Sequence, residues 1–186
     1  MNGILPASKP KMTRQELKEL IRKAHPDYTI PDIAFVGVRG YYKNTMGKVG
    51  INDRCLYDDA IFILTNEEFL SFNGNCDPGA FRPGIANLKA GIWPVYKFDL
   101  HKGLYLALCQ RGGTVTVLRD KKDEDTGEFG INIHKGGHNV TSSLGCQTIP
   151  PSQWSDFILQ AQKYAAKYIG VDWKKKHDYT YILLEQ

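Results

Sequence analysis

The sequence predicts a mainly β protein of the α+β class, an antiparallel β-sandwich or barrel with peripheral helices at the N-terminal and C-terminal flanks. Three observations carry this. From Ile33 onward the chain offers a series of short runs rich in Val, Ile, Phe and Tyr, separated by Gly, Asn, Asp and Pro. Apolar residues recur at helical spacing only near the two ends. Many of the strand runs lie close together with no helix between them, which favours antiparallel pairing over βαβ crossovers.

Residues 1–12 form a Pro- and Lys-containing arm, read as flexible, and residues 13–186 a single domain. Thr13-Arg14-Gln15-Glu16 has capping-box spacing, and Leu17, Leu20, Ile21 and Ala24 follow on one helical face. His25-Pro26 ends this helix, since the residue before proline disfavours helical geometry. Ile33 to Arg39 reads as a strand, and Ala60–Leu64 with Phe69–Phe72 as a hairpin. Residues 73–84 are turn chemistry and predict a surface loop. Ala90 to Phe98 resumes alternation, with Pro94 arguing for a sheet edge. Tyr105–Cys109 and Thr114–Arg119 predict a further pair around Arg111-Gly112-Gly113, and residues 120–128 an exposed charged loop. A helix starts at Pro150-Pro151-Ser152 and buries Trp154, Phe157, Ile158, Ala161, Tyr164, Ala165 and Tyr168, with Gly170 as its cap. Tyr179 to Leu184 closes the chain, giving seven or eight strands in all.

A chain of 186 residues with 42% apolar residues, 10 Tyr, 8 Phe and 3 Trp can bury a real core. The net charge of +4 is a mild excess without a basic stripe, which argues against a nucleic-acid partner and suits an anionic substrate. Lys174-Lys175-Lys176 reads as a solvated turn. No apolar run approaches the ~20 residues of a membrane span. Nor does the N-terminus show the hydrophobic segment of a secretory signal, so the expectation is synthesis in the cytoplasm and delivery by other means. Cys55, Cys76, Cys109 and Cys146 show neither CxxC pairs nor a disulfide framework. Cys109 reads as a small buried hydrophobe.

The chemistry concentrates in Ile131 to Thr148, INIHKGGHNVTSSLGCQT. A short alternating strand ends at His134, a Gly- and Ser-rich loop follows, and Cys146 comes after Gly145, twelve positions beyond the histidine. A free thiol, with pKa about 8.5, needs a base to become a nucleophile at neutral pH. His134 and His138 are both candidates. A strand end holds a side chain better than a glycine-flanked loop, which favours His134. A metal site from His134, His138 and Cys146 is not expected, because Gly136-Gly137 opposes the helix that would put both rings on one face. No cofactor is called for either.

Ile133-His134, the glycine-rich loop and Ser143-Leu144-Gly145-Cys146 resemble the active-site signature of the L,D-transpeptidase family, the YkuD-like catalytic domain, in a form similar to phage-encoded relatives. The resemblance implies Cys146 as nucleophile, His134 as base, Gly145 at an oxyanion pocket with Cys146, and Ser143 as organiser of the loop. His138, with Gly136, Gly137 and Asn139, is expected on the substrate side. Leu144 stands where the family usually has a second histidine, and the interval from His134 to Cys146 is shorter than usual. The implied activity is acyl transfer on peptidoglycan stem peptides through a Cys146 thioester, resolved by an amine or by water, at the cell wall of a host or in the periplasm. A catalytically silent module that binds wall peptides or builds a virion is the alternative. A cysteine peptidase of the NlpC type is disfavoured, because there the cysteine precedes its histidine.

Overall fold

The computed structural model describes residues 3–174 and 177–186. The main sheet has eight strands, in the order β10 (Gln147–Ile149), β9 (Ile133–Lys135), β6 (Tyr105–Gln110), β5 (Gly91–His101), β11 (Tyr179–Glu185), β1 (Ile33–Arg39), β2 (Asp59–Thr65) and β3 (Phe69–Gly74). Its two ends meet. Directly after β3, Asn75 exchanges backbone hydrogen bonds of 2.9 and 2.8 Å with Thr148 of β10, so the sheet curls into a nearly closed barrel. A second sheet joins β4 (Ala86–Leu88), β7 (Val115–Arg119) and β8 (Glu124–Gly127). Two pairs are parallel, β1 with β11 and β9 with β10, making the main sheet mixed.

Alternation along the strands sends side chains to two cores. Ile33 and Phe35 of β1 face one cluster with Phe72, Phe98, Tyr179 and Tyr181, into which α2 (Pro151–Ile169) inserts Trp154, Phe157, Ala161 and Ala165. Ala34, Val36 and Val38 face the other, with Phe62, Leu64, Ile182 and Leu184, where α1 (Arg14–Ala24) lays Leu17 and Ile21. A strand covered on both faces reads as a continuous apolar run, and every residue of β1 is buried. Burying one side chain the size of Phe157 stabilises the fold by roughly 1.5–3 kcal/mol. Thr13 and Glu16 close the expected capping box on α1.

Several expectations give way to the closure of the barrel. Residues 73–78 are buried, because the chain leaving β3 must meet β10. Pro94 is exposed on β5 just before the stretch from Tyr96 to His101 that pairs with β6, so β5 has a strand neighbour on only one side there, although β5 itself is an inner strand. Tyr179 and Tyr181 of β11 pair with Tyr96 and Trp93, so β5 carries an extra residue there, a bulge of the kind that accommodates a proline with no N–H to donate. The β6 and β7 strands do not pair with each other; they belong to different sheets. Within the expected charged loop, residues 124–127 form β8 against β7. The N-terminal arm lies against the body: Ile4 O accepts from Tyr57 N (2.8 Å), Ser8 O from Tyr42 Oη (2.8 Å) and Pro10 O from Ser71 Oγ (3.0 Å). Lys175 and Lys176 of the basic run lie outside the described residues.

Candidate active site

Parallel pairing decides where the cysteine sits. Parallel strands cannot be joined by a tight turn, so the loop from Gly136 to Cys146 must carry the chain back to the starting level of β9. Gln147 then pairs with Ile133 and Thr148 with His134, which leaves Cys146 beside Asn132. The Asn132 N–H points at Cys146 Sγ (3.3 Å), and the thiol donates to Gly130 O (3.4 Å). His134 is one strand over and two residues along, about 8 Å between backbones from ideal strand spacings. No hydrogen bond between described residues joins its ring to the sulfur.

The His134 ring is nonetheless held. Its Nδ1 donates to Lys135 O (2.8 Å), which assigns the proton to Nδ1 and leaves Nε2 as the acceptor. The ring lies on that of His101, at the end of β5, with centroids 4.1 Å apart and planes 17° from parallel. Asn132 Oδ1 accepts from Gln110 N (3.0 Å), so its amide nitrogen is the donor to His101 Nδ1 (3.1 Å). A path of contacts thus runs from Cys146 through Asn132 and His101 to His134.

Burial, reinforced by the His101 ring, pushes His134 down to about 4 against the Nδ1 hydrogen bond. The packed surroundings push the Cys146 thiol up, opposed by the Asn132 N–H and the Lys102 charge. Near neutral pH both groups are uncharged, so the site holds no preformed thiolate–imidazolium pair.

Ser143 ties the two ends of the turn before Cys146 together. Its Oγ donates to Cys146 O (2.5 Å) and accepts from Gly145 N (3.0 Å). That bond engages the Gly145 N–H, so of the two donors expected at an oxyanion pocket it is the Cys146 N–H that is left. Gly145 has φ +143°, and a Cβ there would stand 2.6 Å from Ala86 O. A groove of about 380 Å³ opens at this loop, lined among others by Arg82, Arg119, Phe129, Gly130, Leu144 and Cys146. A larger hollow of about 860 Å³ lies between the N-terminal arm and Tyr41, Tyr42 and Met46, but it holds neither thiol nor imidazole.

The expected substrate-side residues lie elsewhere. His138 and Asn139 are exposed and do not line the groove. Gly136 and Gly137 serve packing: a Cβ on Gly136 would meet Tyr57 Oη at 2.2 Å, and Gly137 O accepts from Tyr57 Oη at 2.7 Å. Sequence reading missed His101, Asn132, Arg82 and Arg119. Asn132 could have been found, since it precedes His134 in the same short strand. For His101 no local signal exists; only the strand order brings it to His134.

A second buried polar cluster surrounds Arg39, which is 7% exposed. Its guanidinium reaches Cys76 O (2.9 Å), Asn87 Oδ1 (2.8 Å), Leu88 O (2.9 Å) and Glu185 Oε1 (2.8 Å). Its Nε faces Asp77 Oδ1 at 3.1 Å as an ion pair, off the hydrogen-bonding angle. Asp59 accepts from Gly40 N (2.5 Å) and Cys76 N (2.6 Å), and burial followed by repulsion from Asp77 pushes its carboxyl well up. Asp58, also buried, is pushed up to about 7. All four cysteines are free, and among the described residues no group of three or more His, Cys, Asp or Glu is placed to hold a metal.

No protein-family model matches the chain, and neither a curated protein nor a solved structure is similar to it. The resemblance to L,D-transpeptidases therefore rests on residues 131–149.

Proposed function

We propose that this chain is a cysteine-dependent acyltransferase on peptidoglycan stem peptides, an L,D-transpeptidase or L,D-peptidase that reaches the wall by delivery. The supporting observation is the parallel pairing of β9 with β10, which sets Cys146 diagonally behind an imidazole whose Nε2 is left as acceptor. His134 Nε2 takes the thiol proton as Sγ attacks the carbonyl carbon of the third stem residue. Attack and proton transfer occur together, because neither partner is charged beforehand. The tetrahedral oxygen gathers charge facing the Cys146 N–H. Collapse expels the amine, which takes the proton from His134 and leaves a thioester. An amine of a second stem, or water, then attacks the thioester and gives its proton to His134. The sulfur leaves and recovers that proton as the thiol.

Two observations favour the silent alternative: no hydrogen bond between described residues joins the His134 ring to the sulfur, and the thiol is pushed up. Intact-mass analysis with a purified disaccharide-tetrapeptide, beside Cys146→Ala and His134→Ala, separates the two. The acyltransferase yields tripeptide or cross-linked dimer only when both residues are present. No product and no adduct, with Cys146 slow toward an alkylator in the folded protein, leaves the binding or structural role.

A further inference from the structure

We infer that Asn132 is a positioning residue that locks the two stacked imidazoles in opposite tautomers, so that His134 and not His101 takes up the proton of Cys146. The lock is read from the hydrogen bonds alone; its use in catalysis rests on the proposed function.

The polarity starts at a group that cannot be reversed. A backbone N–H only donates, and the pairing of Leu108 with Ile133 brings that of Gln110 to the Asn132 side chain. The atom that accepts it, at 3.0 Å, is therefore Oδ1. Nδ2 is left to face His101 Nδ1 at 3.1 Å, and an amide nitrogen only donates. His101 Nδ1 must then be bare, with the proton of the ring on Nε2. His134 is fixed the other way, because Lys135 O accepts from its Nδ1 at 2.8 Å.

Protonating His101 would set a second donor against the Asn132 amide. Protonating His134 adds a proton at its open Nε2 and leaves the bond to Lys135 O in place. The surrounding charges also keep His101 neutral. Lys102 and Arg111 both oppose a charge on it, and Arg111 is itself tied to Asp99 (2.8 Å). Lys102 opposes a charge on His134 as well. The other ring against His101 is the neutral phenol of Tyr105, with centroids 5.6 Å apart. Among the described residues no carboxylate bonds either imidazole. Two charged rings 4.1 Å apart would repel each other. A His101 held neutral thus lets His134 acquire charge as Sγ gives up its proton. Asn132 touches the sulfur only through its backbone N–H (3.3 Å), so a change of its side chain tests the lock and leaves that contact in place.

The full-length protein, labelled with 15N, would be read near neutral pH by long-range 1H–15N correlation, which tells the two tautomers of each imidazole apart. His101→Gln and His134→Gln assign the signals among the five histidines. His101 should carry its proton on Nε2 and His134 on Nδ1. A proton on His101 Nδ1, or averaging between its two tautomers, overturns the lock, and this reading needs no Asn132 variant to fold. Asn132→Asp keeps an acceptor for the Gln110 N–H but turns the bond to His101 around. His101 should then hold a proton on Nδ1, and its titration midpoint should rise by about one unit or more. An unmoved midpoint overturns the lock. On the disaccharide-tetrapeptide, kcat/KM of Asn132→Asp should acquire an acid limb at the new His101 midpoint, because a charged His101 opposes the charge His134 must take. A pH profile identical to that of the unaltered protein overturns the catalytic role. The stated tautomers without any turnover would leave the lock standing and defeat the acyltransferase reading. Turnover with His101 in the opposite tautomer would do the reverse.

Discussion

The clusters around Arg39 and around Cys146 are both polar and both enclosed, yet they treat charge in opposite ways. Arg39 carries a permanent charge, and carboxylates and carbonyls meet it on every side. The Cys146 cluster carries none: the surroundings push its thiol up and its imidazole down, so both stay neutral. It also keeps spare capacity, in His134 Nε2 and the Cys146 N–H. A cluster whose charge is met on every side holds the chain together, here joining β1, β11 and the buried turn at Cys76. An unsaturated one costs stability and is worth that cost where a bond must later form.

The sharpest break in this comparison is Arg39→Leu. It strands the Asp77 and Asp59 carboxyls in the interior, and denaturant unfolding should show a loss of about 3–5 kcal/mol. A loss under about 1 kcal/mol would mean that the Arg39 cluster is not structural.

The next largest effects are opposite pH dependences. His134 is pushed from 6.5 down to about 4 in the folded chain. The unfolded chain therefore binds the proton first, and its contribution to stability falls as pH drops from 6.5 toward 4. Asp58 is pushed from 3.8 up to about 7, so the folded chain binds the proton first. Its contribution falls as pH rises from 3.8 toward 7. Unfolding midpoints across this range should lose the first slope in His134→Gln and the second in Asp58→Asn, at most about 3 kcal/mol for the first and about 4 kcal/mol for the second. Identical curves for both variants would remove the contrast.

A smaller effect is expected from His101→Phe, which keeps a flat ring over His134 but removes the bond to Asn132. Burial is the larger cause of the His134 shift and His101 the second. The acid limb of kcat/KM should accordingly move upward from about 4 by less than about one unit. An unmoved limb would assign His101 to packing alone.

Much of the scaffold was legible in local pattern. The Thr13–Glu16 box marked the start of α1, unbroken apolar runs marked β1 and β2, and the stripe from Trp154 to Ala165 marked α2. Cys146, His134 and Ser143 stood out because a nucleophile, a strand-end imidazole and a hydroxyl lie within one short stretch. The β8 strand was not legible, since Glu124-Asp125-Thr126-Gly127 has no apolar face and is a strand only because β7 offers it hydrogen bonds. His138 stayed a second candidate base because chain distance does not show which imidazole is packed and which is exposed.

By itself, then, the amino-acid order determined the helices, most strand segments, the mainly β class and the stretch that carries the candidate site. All of these follow from contacts between residues close in the chain. Only the tertiary structure decided that β9 and β10 run parallel, that β11 lies between β5 and β1, and that residues 73–78 are buried to close the barrel. It alone brought His101 onto His134 and set Arg82 and Arg119 at the groove beside Cys146. These features depend on which strand edges find each other when the sheet closes, and that choice is made by distant backbone groups whose hydrogen bonds carry no residue-specific signal.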